Sequence, residues 1–265
     1  MKVSIVQSEI FWEDREKNFF HFGELLDKIE EETDLIVLPE MFSTGFSMHP
    51  EKIAEASNGE SLEWLRLQAK KKKCVVTASV AVKDDGMYYN RLFWVEPSGH
   101  FHTYDKRHLF RMAGEDKQYS PGQSTITTHI KNWNIRPLVC YDLRFPVWSR
   151  NHFKKLSETA VHAQYDVLIY VANWPEVRAY PWKQLLIARA IENQCYVIGV
   201  NRIGADGNGI MHSGDSMVIN PRGEIISKTK AHEKSVETIT LNRDYLDDFR
   251  KSFPVGLDAD GFSLL

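Results

Sequence analysis

The feature that most constrains this chain is an alternation. Short apolar runs with a β-like composition are separated by stretches whose apolar residues recur every three or four positions. Cys74–Val82, CVVTASVAV, is the clearest of the runs, and it follows directly on the amphipathic segment Ser61–Lys73. A continuous apolar run bounded by a helical pattern reads as a strand buried on both faces, the situation of a central strand in an α/β sheet. Strand and helix patterns interleave from end to end, with no repeat, low-complexity tract or linker. That predicts one α/β domain over residues 1–265, with a C-terminal tail from about 252 to 265.

The pattern places strands at KVSIVQ (Lys2–Gln7), DLIVLPE, STITTHI, IRPLVCYD, YDVLIYVANWP, CYVIGVNR and SVETITL. Helices are predicted over Arg15–Glu32, Ser61–Lys73 and Pro181–Asn193, after Pro146, and near Tyr245–Lys251. Two hairpins are expected, one turning at Pro97-Ser98-Gly99 and one at Asn220-Pro221-Arg222-Gly223.

At 265 residues, 43% hydrophobic and 26% charged, the chain has the make-up of a globular protein with a sizeable core. A formal net charge of -3, with no long basic block, gives no electrostatic case for nucleic acid. The N-terminal apolar stretch ends at Glu9, too short for a signal or a membrane span, so no membrane partner is expected. Three well-separated cysteines do not suggest a disulfide framework, and a reducing, cytoplasmic location is the expectation. Cys74 and Cys195 lie within apolar runs and read as structural thiols.

Cys140 is different, because in LVCYDLRFP it sits where an apolar run meets a polar turn. Reactive groups in open α/β sheets gather just beyond the C-terminal ends of strands. Three strand ends carry such groups: Glu40 in LIVLPEMF, Lys106 in HTYDKRHLF and Cys140. A thiol needs a base or a cation to become a thiolate, a buried carboxylate can serve as the base, and an ammonium favours both the thiolate and a later oxyanion. Residue type and spacing alone leave each position open. Glu40 reads equally as a helix cap, Lys106 as a surface charge and Cys140 as a core residue.

The three motifs, in this order, resemble those of the nitrilase superfamily of carbon–nitrogen hydrolases. VANWP, RAIENQCYVIGVNR and GDSMVINPRGEII extend the resemblance over nearly the whole chain. CYDLRFPVWSRN and the stretch through GADGNG look most like its bacterial omega-amidase branch, which hydrolyses 2-oxoglutaramate and related monoamides of dicarboxylic acids. The resemblance implies an α-β-β-α sandwich, paired through its helices into a four-layer homodimer, and a Glu-Lys-Cys triad with no metal and no cofactor. The matching positions are Glu40, Lys106 and Cys140, with Glu115 of RMAGED as a second glutamate. The substrates implied are a small amide and water, with the Tyr141 backbone N–H joining Lys106 around the oxyanion. Asp142 and Arg144 are expected to brace the nucleophile's turn.

A dicarboxylate monoamide leaves one carboxylate to be held, and an arginine fork is its natural partner. Arg111 is the first candidate, with a loop surface charge as the bland alternative. Phe42, Tyr89 and Trp174 flank the motifs as candidate pocket walls, though aromatics also fill cores. His100 and His102 share a strand face, and His108 lies near them, but no nearby cysteine or carboxylate cluster completes a metal site. GADGNG lacks the following helix of a dinucleotide loop and reads as a loop on the site's rim. Residues 152–164, HFKKLSETAVHAQ, are longer than the branch's connection and are read as an extended helix, a dimer contact or a lengthened loop. Two other functions fit the same motifs: another amidase or N-carbamoyl hydrolase, and a catalytically silent scaffold on the same fold.

Overall fold

A computed structural model describes residues 1–158 and 161–263. Two sheets face each other. The first runs in the order Ser235–Thr240, Lys2–Gln7, Leu35–Val37, Val75–Asp84, Met87–Val95, Phe101–Asp105. The second runs Met217–Ile219, Tyr196–Asn201, Val167–Ala172, Trp133–Val139, Thr128–Ile130. The central neighbours in each sheet pair in parallel, and the edge strands are antiparallel.

Strand periodicity sorts side chains between the layers. Val3, Ile5, Leu35, Val37, Leu92 and Trp94 point inward and pack with the second sheet. Val6, Ile36, Val76, Val80, Phe93 and Val95 point outward onto Phe22, Leu25, Leu26, Leu62 and Leu65 of helices Arg15–Asp27 and Glu60–Lys72. On the far side Trp182, Leu186 and Ala190 of helix Ala179–Asn193 cover the second sheet. The result is the α-β-β-α sandwich expected from the motifs, with every strand of the parallel cores covered on both faces.

Several local expectations are corrected. The first helix stops at Asp27, where the Lys28 N–H returns to the Leu25 carbonyl and the Ile29 N–H to that of Leu26, and three consecutive glutamates follow. STITTHI contributes only Thr128–Ile130, and the helix after Pro146 is a single turn, Pro146–Ser149. The second hairpin has one regular arm, Met217–Ile219, and its return is a lone bridge at Ile225. GADGNG is the turn of a small hairpin, Ile203–Ala205 with Met211–Ser213. The inserted stretch is not a helix. Phe153–Lys155 pairs antiparallel with Val161–Ala163, while 159–160, inside the stretch, lie outside the described residues. The tail follows helix Arg243–Ser252; Gly256 packs against the Phe153 ring and Phe262 stacks on His152 at 4.5 Å. Residues 264–265 of that tail are also outside the described range.

The insertion of Gly122 against a strand end bears directly on Lys106. Its backbone N–H donates to the Lys106 carbonyl at 2.9 Å, and a Cβ built there would lie 2.0 Å from the Asp105 carbonyl oxygen. Backbone cannot yield cheaply at that distance, so Gly122→Ala should move the end of strand Phe101–Asp105. We expect a stability loss of about 1–3 kcal/mol by denaturant unfolding, the range for overpacked sites. Because Lys106 is the next residue, activity should fall as well.

Candidate active site

Each of the three strand ends is locked by backbone bonds before its side chain is considered. After strand Leu35–Val37, Met41 donates its N–H to Ser79 Oγ (2.9 Å) and Phe42 to the Ser79 carbonyl (3.3 Å), with Met41 at φ 45°. This turn aims Glu40 inward. Lys106 donates its N–H to the Asn90 carbonyl at 3.0 Å directly after Phe101–Asp105. Cys140 follows Trp133–Val139 with φ 44°, a left-handed conformation that costs a non-glycine residue on the order of 1–3 kcal/mol. A 3₁₀ turn, Cys140–Arg144, starts there.

Asp142 holds that turn. Its carboxylate accepts from the Val139 N–H (3.1 Å), the Tyr104 hydroxyl (2.7 Å) and the His108 N–H (3.0 Å), and contacts His108 Nδ1 at 2.8 Å. The bracing role expected of Asp142 is therefore met. Arg144 does something else: its guanidinium lies 5.2 Å from the Trp174 ring centre and faces a cavity.

Glu40, Lys106 and Glu115 are fully buried and Cys140 nearly so, at 7% exposure. Lys106 Nζ donates to Glu40 Oε1 at 2.9 Å and to both oxygens of Glu115 at 3.0 and 2.9 Å. Asn90 Nδ2 donates to Glu40 at 2.8 Å and to Glu115 at 3.3 Å, the Asn173 N–H to Glu40 Oε2 at 2.7 Å, and the Phe110 N–H to Glu115 Oε2 at 2.5 Å. Burial alone would discharge Lys106, but Glu115 and then Glu40 overcome it and raise the pKa of the ammonium. Burial pushes the Glu115 carboxyl up, with Lys106 opposing. Burial also pushes the Cys140 thiol well up; the Glu40 carboxylate adds to this and Lys106 opposes it. The resting cluster thus favours a neutral thiol beside a carboxylate that can accept its proton.

Cys140 opens into a cavity of about 310 Å³ whose lining includes Phe46, Tyr141, Arg144, Trp174 and Arg178. Trp174 is where the sequence put it. Phe42 is not: it is fully buried among Phe19, Phe22 and Trp64, packed as core. Tyr89 is half-buried beside Arg91 and absent from the cavity wall. Arg111 is 85% exposed by side chain, 3.7 Å from Asp116, and does not line the cavity. Its short 3₁₀ turn, Arg111–Ala113, directs it to solvent. Arg144 and Arg178, the two cations that do line it, have no ion pair among the described residues. Asn90, Asn173 and Phe46 are contributors the motif reading left without a role; the available signal was a polar residue inside a strand for Asn90 in YYNRLF and one directly after an apolar strand for Asn173 in VANWP. The GADGNG turn does reach the rim, where Asp206 and Asn208 share a neighbouring cavity with Phe46 and Arg178. The hairpin at Pro97-Ser98-Gly99 also brings Glu96, four residues before His100, to His100 and His102, ligand atoms all within 4.8 Å.

The family model for carbon-nitrogen hydrolases matches residues 2–251. The chain belongs to that family. It is an amide-hydrolysing enzyme of the nitrilase superfamily. Omega-amidase YafV of Escherichia coli K12 is 44% identical over 264 residues, covering 100% of this chain and 98% of that protein. The 2-oxoglutaramate amidase of Bacillus subtilis is 30% identical over 256 residues, 96% of this chain and 95% of the other. Among solved structures, a CN-hydrolase superfamily protein of Xanthomonas campestris superposes with a TM-score of 0.94 at 41% identity, over 100% of this chain and 98% of that one. Nit3 of Saccharomyces cerevisiae gives 0.83 at 25% identity, over 96% and 94%.

Removing the shared cation tests the electrostatics of this hydrolase's cluster. Lys106→Met leaves two buried carboxylates without their partner, a change that costs about 3–5 kcal/mol when one member of a buried pair is lost. The Glu115 carboxyl is already raised in the folded state, and without the ammonium it rises further. A folded pKa above the unfolded value gives stability that is present at low pH and lost as pH rises. The deficit, read from denaturation midpoints, should therefore be smaller near about pH 5 than near about pH 8.

Proposed function

We propose that this hydrolase is an omega-amidase that cleaves the terminal amide of small dicarboxylic acid monoamides, 2-oxoglutaramate to 2-oxoglutarate and ammonia, through a Cys140 thioester. The observation that carries the chemistry is the convergence of three distant strand ends on one buried cluster, Glu40, Lys106 and Cys140. The substrate class is supported by the omega-amidase and 2-oxoglutaramate amidase relatives, matched along nearly their full length.

In this reading Glu40 takes the proton from the Cys140 thiol as the sulfur attacks the amide carbon. The transfer keeps the proton inside the cluster, so no second net negative charge is created in a buried site. The oxyanion is held by the Lys106 ammonium and the Tyr141 backbone N–H. Glu40 returns its proton to the leaving nitrogen, and ammonia departs. Glu40 then deprotonates water, which attacks the thioester, and the thiol regains its proton as the acid leaves. Glu115 grips Lys106 with both oxygens and so acts as its positioning residue. A cavity of about 310 Å³ suits a short linear amide.

The free carboxylate of the substrate is assigned to Arg144, with Arg178 beside it, in place of Arg111. Both guanidiniums lie on aromatic faces, Trp174 and Phe110, and are open to the cavity. The homodimer paired through its helices is supported by the exposed Tyr180 and Ile191 on helix Ala179–Asn193. The cytoplasmic reading is supported by three free cysteines.

The decisive assay is ammonia release from 2-oxoglutaramate, succinamate, glutamine and an N-carbamoyl amino acid. Release is expected from the first two and none from Cys140→Ala. Release only from the others would replace the omega-amidase reading with another carbon–nitrogen hydrolase activity. Glu40→Gln should fall at least as far as the loss of one oxyanion donor, about 10²–10³ in rate. Arg144→Gln should raise KM for 2-oxoglutaramate by about 10- to 100-fold, the worth of one hydrogen bond to a charged group, with a smaller change in kcat.

A further inference from the structure

A second cavity, of about 910 Å³, lies at the edge of the second sheet, away from the thiol. Its walls come from strands Thr128–Ile130 and Trp133–Val139, the turn Pro146–Ser149 and the inserted hairpin. Arg136, His129, His152, Lys154 and His162 line it, and none of its lining residues is acidic.

Arg136 is the anomaly. It is only 3% exposed; among the described residues its Nε has no hydrogen-bond partner and its one side-chain bond is long, 3.4 Å to Thr127 Oγ1. It has no ion pair among the described residues; its guanidinium lies 4.9 Å from the Tyr165 ring centre. Arg189 Nε and Arg202 Nη1 are also without a hydrogen bond, but the rest of each of those guanidiniums makes two or three bonds, against one for Arg136 among the described residues. Arg91 pairs with Asp84 and Asp105, Arg189 with Glu192, and Arg202 donates to the carbonyls of Ile10, Ile203 and Ala205. Buried charges are normally paired, because taking an unpaired one out of water is unfavourable. A planar fork of donors left open toward a large, acid-free cavity matches an oxyanion in both charge and geometry.

We propose that this cavity is a second ligand site, separate from the thiol cavity, that takes a small organic anion. The acid group pairs with the Arg136 guanidinium, Lys154 adds charge and His162 a ring nitrogen at the mouth, and the apolar body lies against Val147, Trp148 and Phe153. The inserted hairpin, which brings Phe153, Lys154 and His162, is thus a ligand-binding element of this chain.

The test is isothermal titration of the full chain with benzoate and with phenyl phosphate, using benzyl alcohol as the uncharged control. Saturable binding of either anion, absent for the alcohol, is expected, and the tighter of the two fixes the acid group as carboxylate or phosphate. Cys140→Ala and Arg144→Gln should bind unchanged, while Arg136→Gln weakens binding by about tenfold or more. If Arg136→Gln does not fold, Lys154→Gln with His162→Gln, both at the mouth, must weaken binding instead. Binding lost in Arg144→Gln but kept in Arg136→Gln would overturn the proposal by moving the ligand to the thiol cavity. Absence of saturable binding would also overturn it, as would light scattering showing that a second copy fills the cavity and is released by the Lys154 and His162 changes.

Discussion

The Lys106 ammonium, gripped by Glu40 and Glu115 in a fully buried site, is the interaction on which the rest of the structure depends. Three charges out of water are tolerable only with close geometry and further donors, and both are present. Asn90 bonds to both carboxylates, and backbone N–H groups from Phe110 and Asn173 fill remaining acceptor positions. These donors come from both sheets. The cluster therefore fixes how the sheets face each other as well as the local chemistry.

The same cluster sets the state of the thiol. Burial first, and then the negative charge of Glu40 against the opposing Lys106 ammonium, disfavour a thiolate at Cys140. The left-handed backbone at Cys140 presents the sulfur at the floor of the cavity, and Asp142 holds that conformation by three donors from separate segments. Strain at one residue is kept by bonds made elsewhere.

Outside the cluster, the chain's individuality lies in its hairpins and arginines. The hairpin at 203–213 reaches the rim of the thiol cavity, and the inserted one builds a wall of the larger cavity with the tail packed across it. Sequence nearness misled the choice of Arg111. It follows the Lys106 motif closely, but its turn faces solvent, whereas Arg144 and Arg178 arrive from two other elements.

The sequence by itself determined the layers and singled out the candidate site positions. Period-two runs and helical spacing are local consequences of backbone geometry, and they marked nearly all the strands of both sheets and the three long helices. Glu40, Lys106 and Cys140 were legible because each ends a strand, with the motif resemblance choosing them over their bland readings. What only the tertiary structure decided was which side chains come within bonding distance of one another. Glu115 closes on Lys106, Asn90 and Asn173 become donors to Glu40, Phe42 turns into core, and Glu96 reaches two histidines across a hairpin. A side chain's partners depend on how the sheets pack, and no local pattern encodes that. For the same reason the unpaired state of Arg136 became visible only once its surroundings had been assembled.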